Sequence, residues 1–186
     1  MTANSLPDLE RYRGYLLILA ECGLSPRMRG KVDPSDIVQQ TLLEAHRDLA
    51  SYRGQTEAEL KSWLRTILAR NLLNVHQHYH TQGRDVFREQ QIVASLDQSS
   101  MRIEAFLASE QTSPSQQAMH NEQIEQLTEG LAQLLAGERT ALVLKHFQGC
   151  SLAEISEHMG RPPDAVAGLL KRGLKKLRSH LKEKTE

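Results

Sequence analysis

Two groups of residues in this 186-residue chain could do chemistry through their type and spacing. The first is the run His76-Gln-His78-Tyr-His80, because three imidazoles at alternate positions could chelate a metal ion. The segment is predicted to be helical, however, and on a helix His76 and His80 share one face while His78 points away. We therefore interpret these histidines as solvated polar residues at a helix end, and we expect no metal site and no cofactor.

The second group is a set of basic side chains near the C-terminus, which could bind phosphate. Residues 161–186 carry eight Lys/Arg against three Asp/Glu, whereas the whole chain has 23 of each and no formal net charge. The stretch 103–138 has six acidic residues and no Lys or Arg. The positive charge is therefore local, as expected when one surface of a neutral protein meets nucleic acid.

Other chemistry finds little support in the sequence. No Ser-His-Asp arrangement, paired-carboxylate motif or Gly-rich phosphate loop is visible, so we predict that the protein is not an enzyme. Cys22 and Cys150 are isolated and read as reduced thiols. The N-terminus lacks a signal-peptide pattern and no apolar run reaches the ~20 residues that span a bilayer. These features predict a cytoplasmic protein without membrane insertion.

The elements that must position these residues are predicted to be helices. Aromatic residues make up only 4% of the chain, which disfavours a β-sandwich or barrel. We predict an all-α fold of two small helical domains joined by a flexible linker. The domains cover residues 1–82 and 118–186, and the linker covers 83–117, where helical periodicity fades between Thr81 and Gln117 and a short helix at Met101–Ser109 is compatible with the pattern. The other predicted helices are about Pro7–Glu21, Asp33–Ala50, Glu57–Tyr79, Met119–Leu135, Glu138–Phe147, Ser151–Met159 and Pro162–Lys182.

Both of the last two predicted helices have strong start signals, but only the final helix has a basic side. Ser151 and Glu154 have capping-box spacing, and Gly160 marks the turn that follows. On the final helix, one side is apolar and the other basic: Val166, Leu169, Leu170, Leu174, Leu177 and Leu181 against Lys171, Arg172, Lys175, Arg178 and Lys182. This pattern predicts a helix-turn-helix whose second helix enters the major groove. The alternative is a helical hairpin with a solvated basic face, which explains the charge but not the turn and the caps.

The helix that begins at Asp33 presents an apolar residue on its outer face. Asp33 is the predicted N-cap, with Pro34 at the first helical position. Leu43 lies outside the inner apolar stripe, among glutamine and arginine side chains. A lone exposed leucine is ordinary, but such surroundings are also typical of an interface, and the residues alone leave both interpretations open.

On the next helix, Asn71 and Trp63 both fall on the apolar arc. A buried amide must be hydrogen-bonded, so Asn71 is interpreted as a core hydrogen-bonding residue and Trp63 as a core-packing residue. Thr56 and Glu59 have capping-box spacing at the start of this helix.

Taken together, these residues resemble a known family. The run Asp33-Pro-Ser-Asp-Ile-Val-Gln-Gln-Thr-Leu-Leu-Glu-Ala-His-Arg-Asp-Leu-Ala-Ser-Tyr-Arg-Gly54, followed by Trp63-Leu-Arg65, Ile67 and Asn71, resembles conserved region two of sigma-70 family transcription factors in their short extracytoplasmic-function (ECF) form. Five later segments resemble conserved region four of the same family: Leu127–Leu135, Glu138-Arg139, Gly149–Ile155, Val166–Arg172 and Leu177-Arg178. The resemblance covers nearly the whole chain except the linker.

The resemblance implies core RNA polymerase and promoter DNA as partners. The helix at 33–50 would dock on the clamp helices of the largest polymerase subunit, and region four would meet the flap. The residues implied in core binding are Asp36, Gln39, Gln40, Leu43 and Arg47. An anti-sigma factor is a further partner expected from the family alone.

The resemblance also implies two promoter contacts. The minus-ten element would be met by Ser51, Tyr52, Arg53, Arg65, Arg70 and Asn74. There a base is extruded from the melted duplex, so Tyr52 could offer a ring face or hydroxyl and Arg53 a phosphate contact. The minus-thirty-five element would be met by Arg161, Ala167, Gly168, Lys171, Arg172 and Lys175.

At the front of the last helix the chain departs from the family pattern. The family commonly has basic residues where this chain has Ala167 and Leu169. Direct readout of guanine edges is therefore expected to be limited, while phosphate contacts remain. We expect weak intrinsic DNA affinity, with a log-log salt slope of about −3 to −4 from three or four phosphate contacts.

Three functions remain open at this point. The first is a transcription initiation factor that directs core polymerase to promoters and assists melting. The second is a stand-alone helix-turn-helix regulator, which would be expected to dimerise on palindromic sites. The third is a sigma-mimicking interaction protein that reads no DNA, and the neutral positions Ala167 and Leu169 favour it.

Overall fold

The regular elements of the protein are helical, as the composition predicts. The computed structural model describes residues 8–25, 28, 30–80, 86–110 and 117–183. Its α-helices are α1 (Arg13–Gly23), α2 (Pro34–Asp48), α3 (Glu57–His80), α4 (Val86–Glu110), α5 (Gln117–Ala132), α6 (Ala136–Leu142), α7 (Leu152–Met159) and α8 (Pro163–Glu183). Short 3-10 helices at Glu10–Tyr12 and Leu49–Ser51 precede α1 and follow α2, and a π-helical turn at Val143–Phe147 continues α6. Within the described ranges no helix is both long and apolar enough to cross a bilayer.

The predicted helix starts in the N-terminal half are confirmed by their caps. The Asp33 carboxylate accepts a hydrogen bond from the Ser35 amide at 2.8 Å, and Pro34 occupies the first helical position. At the start of α3, Glu59 accepts from the Thr56 amide at 2.9 Å and donates its own amide to Thr56 Oγ1 at 3.2 Å. Each cap satisfies backbone donors that have no partner inside the helix. The predicted start of the first helix at Pro7 lies outside the described residues.

The structure differs from the sequence expectation in the segment 83–117. Residues Val86–Glu110 of the predicted linker form α4, which includes the short helix predicted at Met101–Ser109. The apolar residues of α4 recur at helical spacing, with Leu96 and Ile103 fully buried, but Ser99 and Ser100 interrupt the stripe between them. Both serines are buried, and Ser100 Oγ hydrogen-bonds to Tyr15 Oη at 2.8 Å. Polar residues at core positions hid the helical periodicity over 86–110, and the division of the chain into two units joined by a linker remains a prediction.

The core is continuous from α1 to α8. Helix α1 lies at its centre, with Leu16, Leu19 and Ala20 fully buried. The cluster includes residues of α2, α3 and α4 on one side of α1 and residues of α5, the π-helical turn and α8 on the other. A smaller cluster of Leu144, Ile155 and Val166 lies within the C-terminal helices. Helix α1 therefore packs against both predicted helical units, whose separate roles remain a prediction.

Candidate nucleic-acid interface

The C-terminal helices fold as the predicted helix-turn-helix. Ser151 caps α7: its hydroxyl accepts from the Glu154 amide at 3.3 Å, and the Glu154 carboxylate accepts from the Ser151 amide at 2.7 Å. Hydrogen bonds from the Ser151 amide and hydroxyl to the carboxylate lower the pKa of Glu154. Gly160 ends α7 in the left-handed conformation, with φ 59° and ψ 37°, where a side chain would be strained. The small core of Leu144, Ile155 and Val166 then fixes α7 against α8.

Helix α8 is amphipathic in the predicted sense. Val166, Leu169, Gly173 and Leu177 are buried, and Gly173 lets α8 approach α6 closely, because a Cβ there would lie 3.2 Å from Glu138 Cβ. The basic residues predicted to face solvent are all exposed: Lys171, Arg172, Lys175, Arg178 and Lys182. Helical spacing places Gly168, Lys171, Arg172 and Lys175 on one face. This face is a strip of positive charge, and Arg161 on the turn before α8 is also exposed.

The front of α8 carries no cationic side chain. Its first turn exposes Pro163, Asp164 and Ala165, and the next exposed residue is Ala167. Leu169 is buried in the core, so this position presents nothing to solvent. As the sequence predicts, the first turns of α8 expose no cationic side chain. Asp164 adds a negative charge there.

The buried carboxylate of Glu138 pairs with two cationic side chains of α8, Arg172 and Lys176. Glu138 on α6 is only 1% exposed. It accepts hydrogen bonds from Lys176 Nζ at 2.8 and 3.1 Å, and Arg172 Nε lies 3.7 Å from it. The Lys176 hydrogen bonds lower the pKa of Glu138. Two cations of α8 therefore neutralise a charge inside the protein, a pairing that sequence reasoning missed because 38 residues separate the partners.

In the loop after α2, the ring of Tyr52 packs against Trp63 and lies close to Gly54. The two ring centroids are 4.8 Å apart, and a Cβ at Gly54 would lie 2.0 Å from Tyr52 Oη, so a side chain there would displace the ring. Burial raises the pKa of Tyr52, and none of the described residues offers its buried hydroxyl a hydrogen-bond partner. Trp63 is half-buried against the core, as predicted. The unpartnered hydroxyl is the unusual feature of this loop.

Several polar residues of this loop and of α3 are exposed on the surface. Ser51 Oγ donates to the Asp48 carbonyl at 2.7 Å, and Arg53 donates to the Ala50 carbonyl at 3.0 Å. Arg70 and Asn74 are exposed one turn apart on α3.

The predicted core hydrogen-bonding role of Asn71 is confirmed, since its amide donates to the buried Thr41 hydroxyl at 3.2 Å.

Arg65 does not share that surface. Its Nε donates to Asp97 on α4 at 2.5 Å and its Nη1 to Tyr15 Oη at 2.8 Å, which leaves the side chain 14% exposed. Five residues along a helix correspond to a rotation of about 140°, so Arg65 and Arg70 face different ways. The structure therefore does not bring Arg65 together with Arg70 and Asn74, and its contact with the minus-ten element stays a prediction.

The outer face of α2 is exposed along its whole length. Leu43 is 59% exposed and stands among the polar residues of the predicted set. Gln40 donates to Glu44 at 2.8 Å, and Arg47 pairs with Asp48 at 2.9 Å. All five residues predicted to bind core polymerase have their side chains in solvent: Asp36, Gln39, Gln40, Leu43 and Arg47.

Two of the three alternating histidines have described side chains, and these two differ in burial. His76 is half-buried, with Nε2 3.3 Å from the Gly23 carbonyl, so it is a packing contact and not the solvated residue that was expected. His78 is exposed, and the side chain of His80 lies outside the described part of the chain. Among the described residues no group of three His, Cys, Asp or Glu side chains is placed to hold a metal ion.

These features define a class of protein: an all-α chain with a helix-turn-helix whose solvent side is basic. Residues 124–177 match the family model described as Sigma-70, region 4. The match runs from α5 through most of α8 and covers less than a third of the chain. It supports a relationship to the sigma-70 family and a DNA-binding role in transcription initiation for these helices.

Proposed function

We propose that this protein is a sigma factor of the ECF type, which binds core RNA polymerase, directs it to specific promoters and assists their melting. The polymerase performs the chemistry, so the protein itself is not an enzyme and works in the cytoplasm with the polymerase. The observation that carries this proposal is the Sigma-70, region 4 match over the helices that form the helix-turn-helix. The region-two resemblance of residues 33–71 in the same chain supports the step from DNA-binding protein to sigma factor.

The C-terminal unit is proposed to anchor the protein at the minus-thirty-five element. The exposed cations of α8 begin at Lys171, two turns into the helix, and Arg161 is exposed on the turn that precedes it. Side chains in these places reach phosphates more readily than base edges. Ala167 and Gly168 allow the backbone of α8 to approach the groove but supply no long donor. This element should therefore contribute affinity and register more than sequence choice.

We propose that the contacts with the minus-ten element determine which promoter sequences the protein selects. Ser51, Tyr52 and Arg53 occupy the loop, with Arg70 and Asn74 exposed on the helix that follows it. The Tyr52 hydroxyl is buried without a partner among the described residues, and such a group costs about 1–3 kcal/mol until it is satisfied. A nucleotide that enters this loop would supply the missing hydrogen bond.

The outer face of α2 is proposed as the surface for the polymerase clamp helices, with region four meeting the flap. A large apolar side chain ringed by amide and guanidinium groups is typical of the centre of a protein interface. Leu43 fits this description, with Gln39, Gln40 and Arg47 beside it. An anti-sigma factor is a further proposed partner, which would compete for the same surfaces.

Transcription from a promoter library with purified protein and core polymerase tests the proposal. We expect transcripts from a defined subset of promoters, lost on Leu43→Ser. Met101→Ser is the matched control, because Met101 is another large exposed apolar residue, 72% exposed on α4 and outside the proposed surface. An absence of both core binding and transcripts in the wild type would contradict the proposal.

A second function, a sigma-like protein that binds polymerase and reads no DNA, is favoured by the neutral front of α8 and by the engagement of Arg172 and Lys176 with Glu138. Core binding without transcripts would support it. A stand-alone helix-turn-helix regulator would instead bind promoter DNA as a dimer in the absence of polymerase.

A further inference from the structure

We propose that the C-terminal half of α8 and the end of α5 form a phosphate-binding site, next to the strip of α8 that is proposed to meet the minus-thirty-five element. An open cleft of about 440 Å³ lies there and is called here the rear cleft. Its lining includes one residue that follows α5 and five of α8: Gln133, Arg172, Lys175, Lys176, Ser179 and His180. Arg172 and Lys175 belong to both surfaces, whereas the other four are not among the predicted promoter contacts.

The rear cleft carries a positive charge. Three cationic side chains line it, Arg172, Lys175 and Lys176, and all three are exposed. Glu183 is the one acid among the described residues of the lining. Cations gathered around a concave surface raise the local potential more than the same charges on a convex surface, which attracts anions.

A buried acid holds two of these cations in place before a ligand arrives. Glu138 accepts hydrogen bonds from Lys176 Nζ at 2.8 and 3.1 Å and lies 3.7 Å from Arg172 Nε. An ammonium group has three N–H donors, so Lys176 keeps at least one for another acceptor. The Lys176 and Arg172 side chains are 51% and 61% exposed, so a ligand can reach them. Because they are already positioned, they lose less conformational entropy on binding than free surface side chains would.

Neutral polar groups complete the lining. Ser179 and Gln133 are exposed and offer a hydroxyl and a carboxamide, both of which can donate to an oxyanion. The His180 side chain is 13% exposed, and its buried Nε2 has no hydrogen-bond partner among the described residues. Glu129 Oε2 lies 3.9 Å from that atom, which is too far for a hydrogen bond. The lining thus combines cations with neutral donors, as phosphate sites do.

The wall between α5 and α8 is fixed by close packing. A Cβ at Gly130 would lie 2.7 Å from Leu177 Cδ1 and 3.0 Å from His180 Cδ2, so the helices approach this closely because Gly130 has no side chain. Leu177 is buried in the main core. The positions of Gln133 and His180 therefore depend on packed helices and not on a loop alone.

The arrangement of donors favours phosphate over a carboxylate. A carboxylate presents two oxygens in one plane, whereas a phosphate monoester presents three strong acceptor oxygens in a tetrahedron. Donors in the rear cleft come from two sides, α8 and the end of α5. The volume lies within the range of about 300–1,000 Å³ for small-molecule sites, so the cleft can hold more than one phosphate group.

Two sources can supply this chemistry: the backbone of DNA beside the minus-thirty-five element, and the polyphosphate of a free nucleotide. The DNA source rests on the proposed function, because it requires α8 to lie on a promoter. The free source does not, although it would occupy Arg172 and Lys175 and so exclude DNA from them.

Added negative charge in the rear cleft tests the site. Gln133→Glu and Ser179→Asp each place an acid at an exposed position of the lining. Gln98→Glu is the matched control, because Gln98 is exposed on α4, outside the cleft. Circular dichroism and thermal unfolding verify that each full-length variant is folded.

Two assays separate the sources of phosphate. Isothermal titration calorimetry with sodium tripolyphosphate, at an ionic strength matched with sodium chloride, measures binding of a free anion. Fluorescence anisotropy over a salt series compares duplexes that carry a minus-thirty-five element with and without one more helical turn, about 10 base pairs, of flanking DNA.

For a free ligand, we expect saturable binding of tripolyphosphate to the wild type and to Gln98→Glu. Both cleft variants should bind it about 5-fold more weakly, the factor for one repulsive charge at ~4 Å in water. For a DNA ligand, flanking DNA should steepen the log-log salt slope of the wild type by about 1, and the cleft variants should lose this increment.

The outcomes are distinguishable. An effect of the cleft variants in the first assay alone assigns the site to a free polyphosphate, and an effect in the second alone assigns it to the DNA backbone. Cleft variants that match Gln98→Glu in both assays would overturn the proposal and leave the proposed function intact. If tripolyphosphate binding depends on the cleft while no duplex binds, the site stands and the proposed DNA-binding function is contradicted.

Discussion

Glu138 and Lys176 form an ion pair that joins the inside of the protein to its basic face, with the Lys176 ammonium 2.8 and 3.1 Å from the two carboxylate oxygens. The carboxylate is buried at the start of α6, whereas the lysine side chain is about half exposed on α8. The pair fixes the rotation of α8 about its axis, because Gly173 between the two cations packs directly on Glu138. The orientation of the basic face is thus tied to a single buried acid as well as to the packing of Val166, Leu169 and Leu177.

Removal of this charge should loosen α8. Glu138→Gln leaves the Lys176 and Arg172 cations without their buried partner, and a lost hydrogen-bonded charge pair of this kind costs about 1–3 kcal/mol. Urea denaturation measures the change in the free energy of unfolding. Glu125→Gln, an exposed acid on α5, is the control and should be neutral. An equal stability of the Glu138→Gln variant and the control would show that packing alone orients α8.

The contribution of Glu138 should depend on pH. Hydrogen bonds from Lys176 lower the pKa of this carboxyl in the folded state. Its contribution to stability is therefore fully present above the pKa of the unfolded chain, about 4.3, and is lost as the pH falls through the lower folded value. We expect the stability difference between wild type and Glu138→Gln to be constant from pH 7 to about pH 5 and to shrink below about pH 4. A difference that persists unchanged to pH 2 would contradict the assignment.

Lys175 is predicted to contact phosphate and not bases. Lys175→Ala should weaken DNA binding by a similar factor on every sequence and reduce the log-log salt slope by about 1. Fluorescence anisotropy across a salt series measures the slope. Lys145→Ala is the control, because Lys145 is exposed on the π-helical turn away from the basic face of α8. A loss confined to one promoter sequence would show that Lys175 reads a base.

A donor at the front of α8 should add sequence discrimination. Ala167 is exposed where a long cationic side chain could reach the major groove. Ala167→Arg should strengthen binding to minus-thirty-five sequences with a guanine in reach, by about 1–3 kcal/mol over the same site without it. Competition binding with single-base variants of the site measures the difference. A uniform gain on all variants would mean that the new side chain meets only phosphate.

We predict that the Tyr52 hydroxyl contributes to promoter melting and not to the stability of the fold. Because it is buried without a partner among the described residues, Tyr52→Phe should leave the melting temperature unchanged or slightly raised. Open-complex formation, measured by permanganate footprinting, should fall. Gly54→Ala is the contrasting variant, which should destabilise the protein because its Cβ collides with Tyr52 Oη. Full promoter melting by Tyr52→Phe would exclude a role for the hydroxyl.

The features that the sequence predicted correctly are local ones. The caps at Asp33, Thr56 and Ser151 each involve residues within three positions, so the pattern that encodes them is contiguous. The amphipathic pattern of α8 is likewise complete within one helix. Local physics of this kind can be recognised without knowledge of the tertiary structure.

The features that the sequence missed depend on distant partners. Helix α4 was hidden because Ser99 and Ser100 occupy core positions, where Ser100 is satisfied by Tyr15, 85 residues away. Asp97 of that same unrecognised helix accepts a hydrogen bond from Arg65, a contact that the sequence did not indicate. One missed helix therefore left both contacts unforeseen, since helical periodicity carries no information about which polar residues find buried partners.

The π-helical turn at Val143–Phe147 has a consequence for how the protein can change over evolution. Val143 and Phe147 belong to the large core around α1, whereas Leu144 belongs to the small core of the helix-turn-helix. The wider turn lets adjacent residues face two different cores. Insertion or deletion of one residue between Ala136 and Gly149 would rotate one set of contacts out of place, so related sequences should vary here in composition but keep the same length.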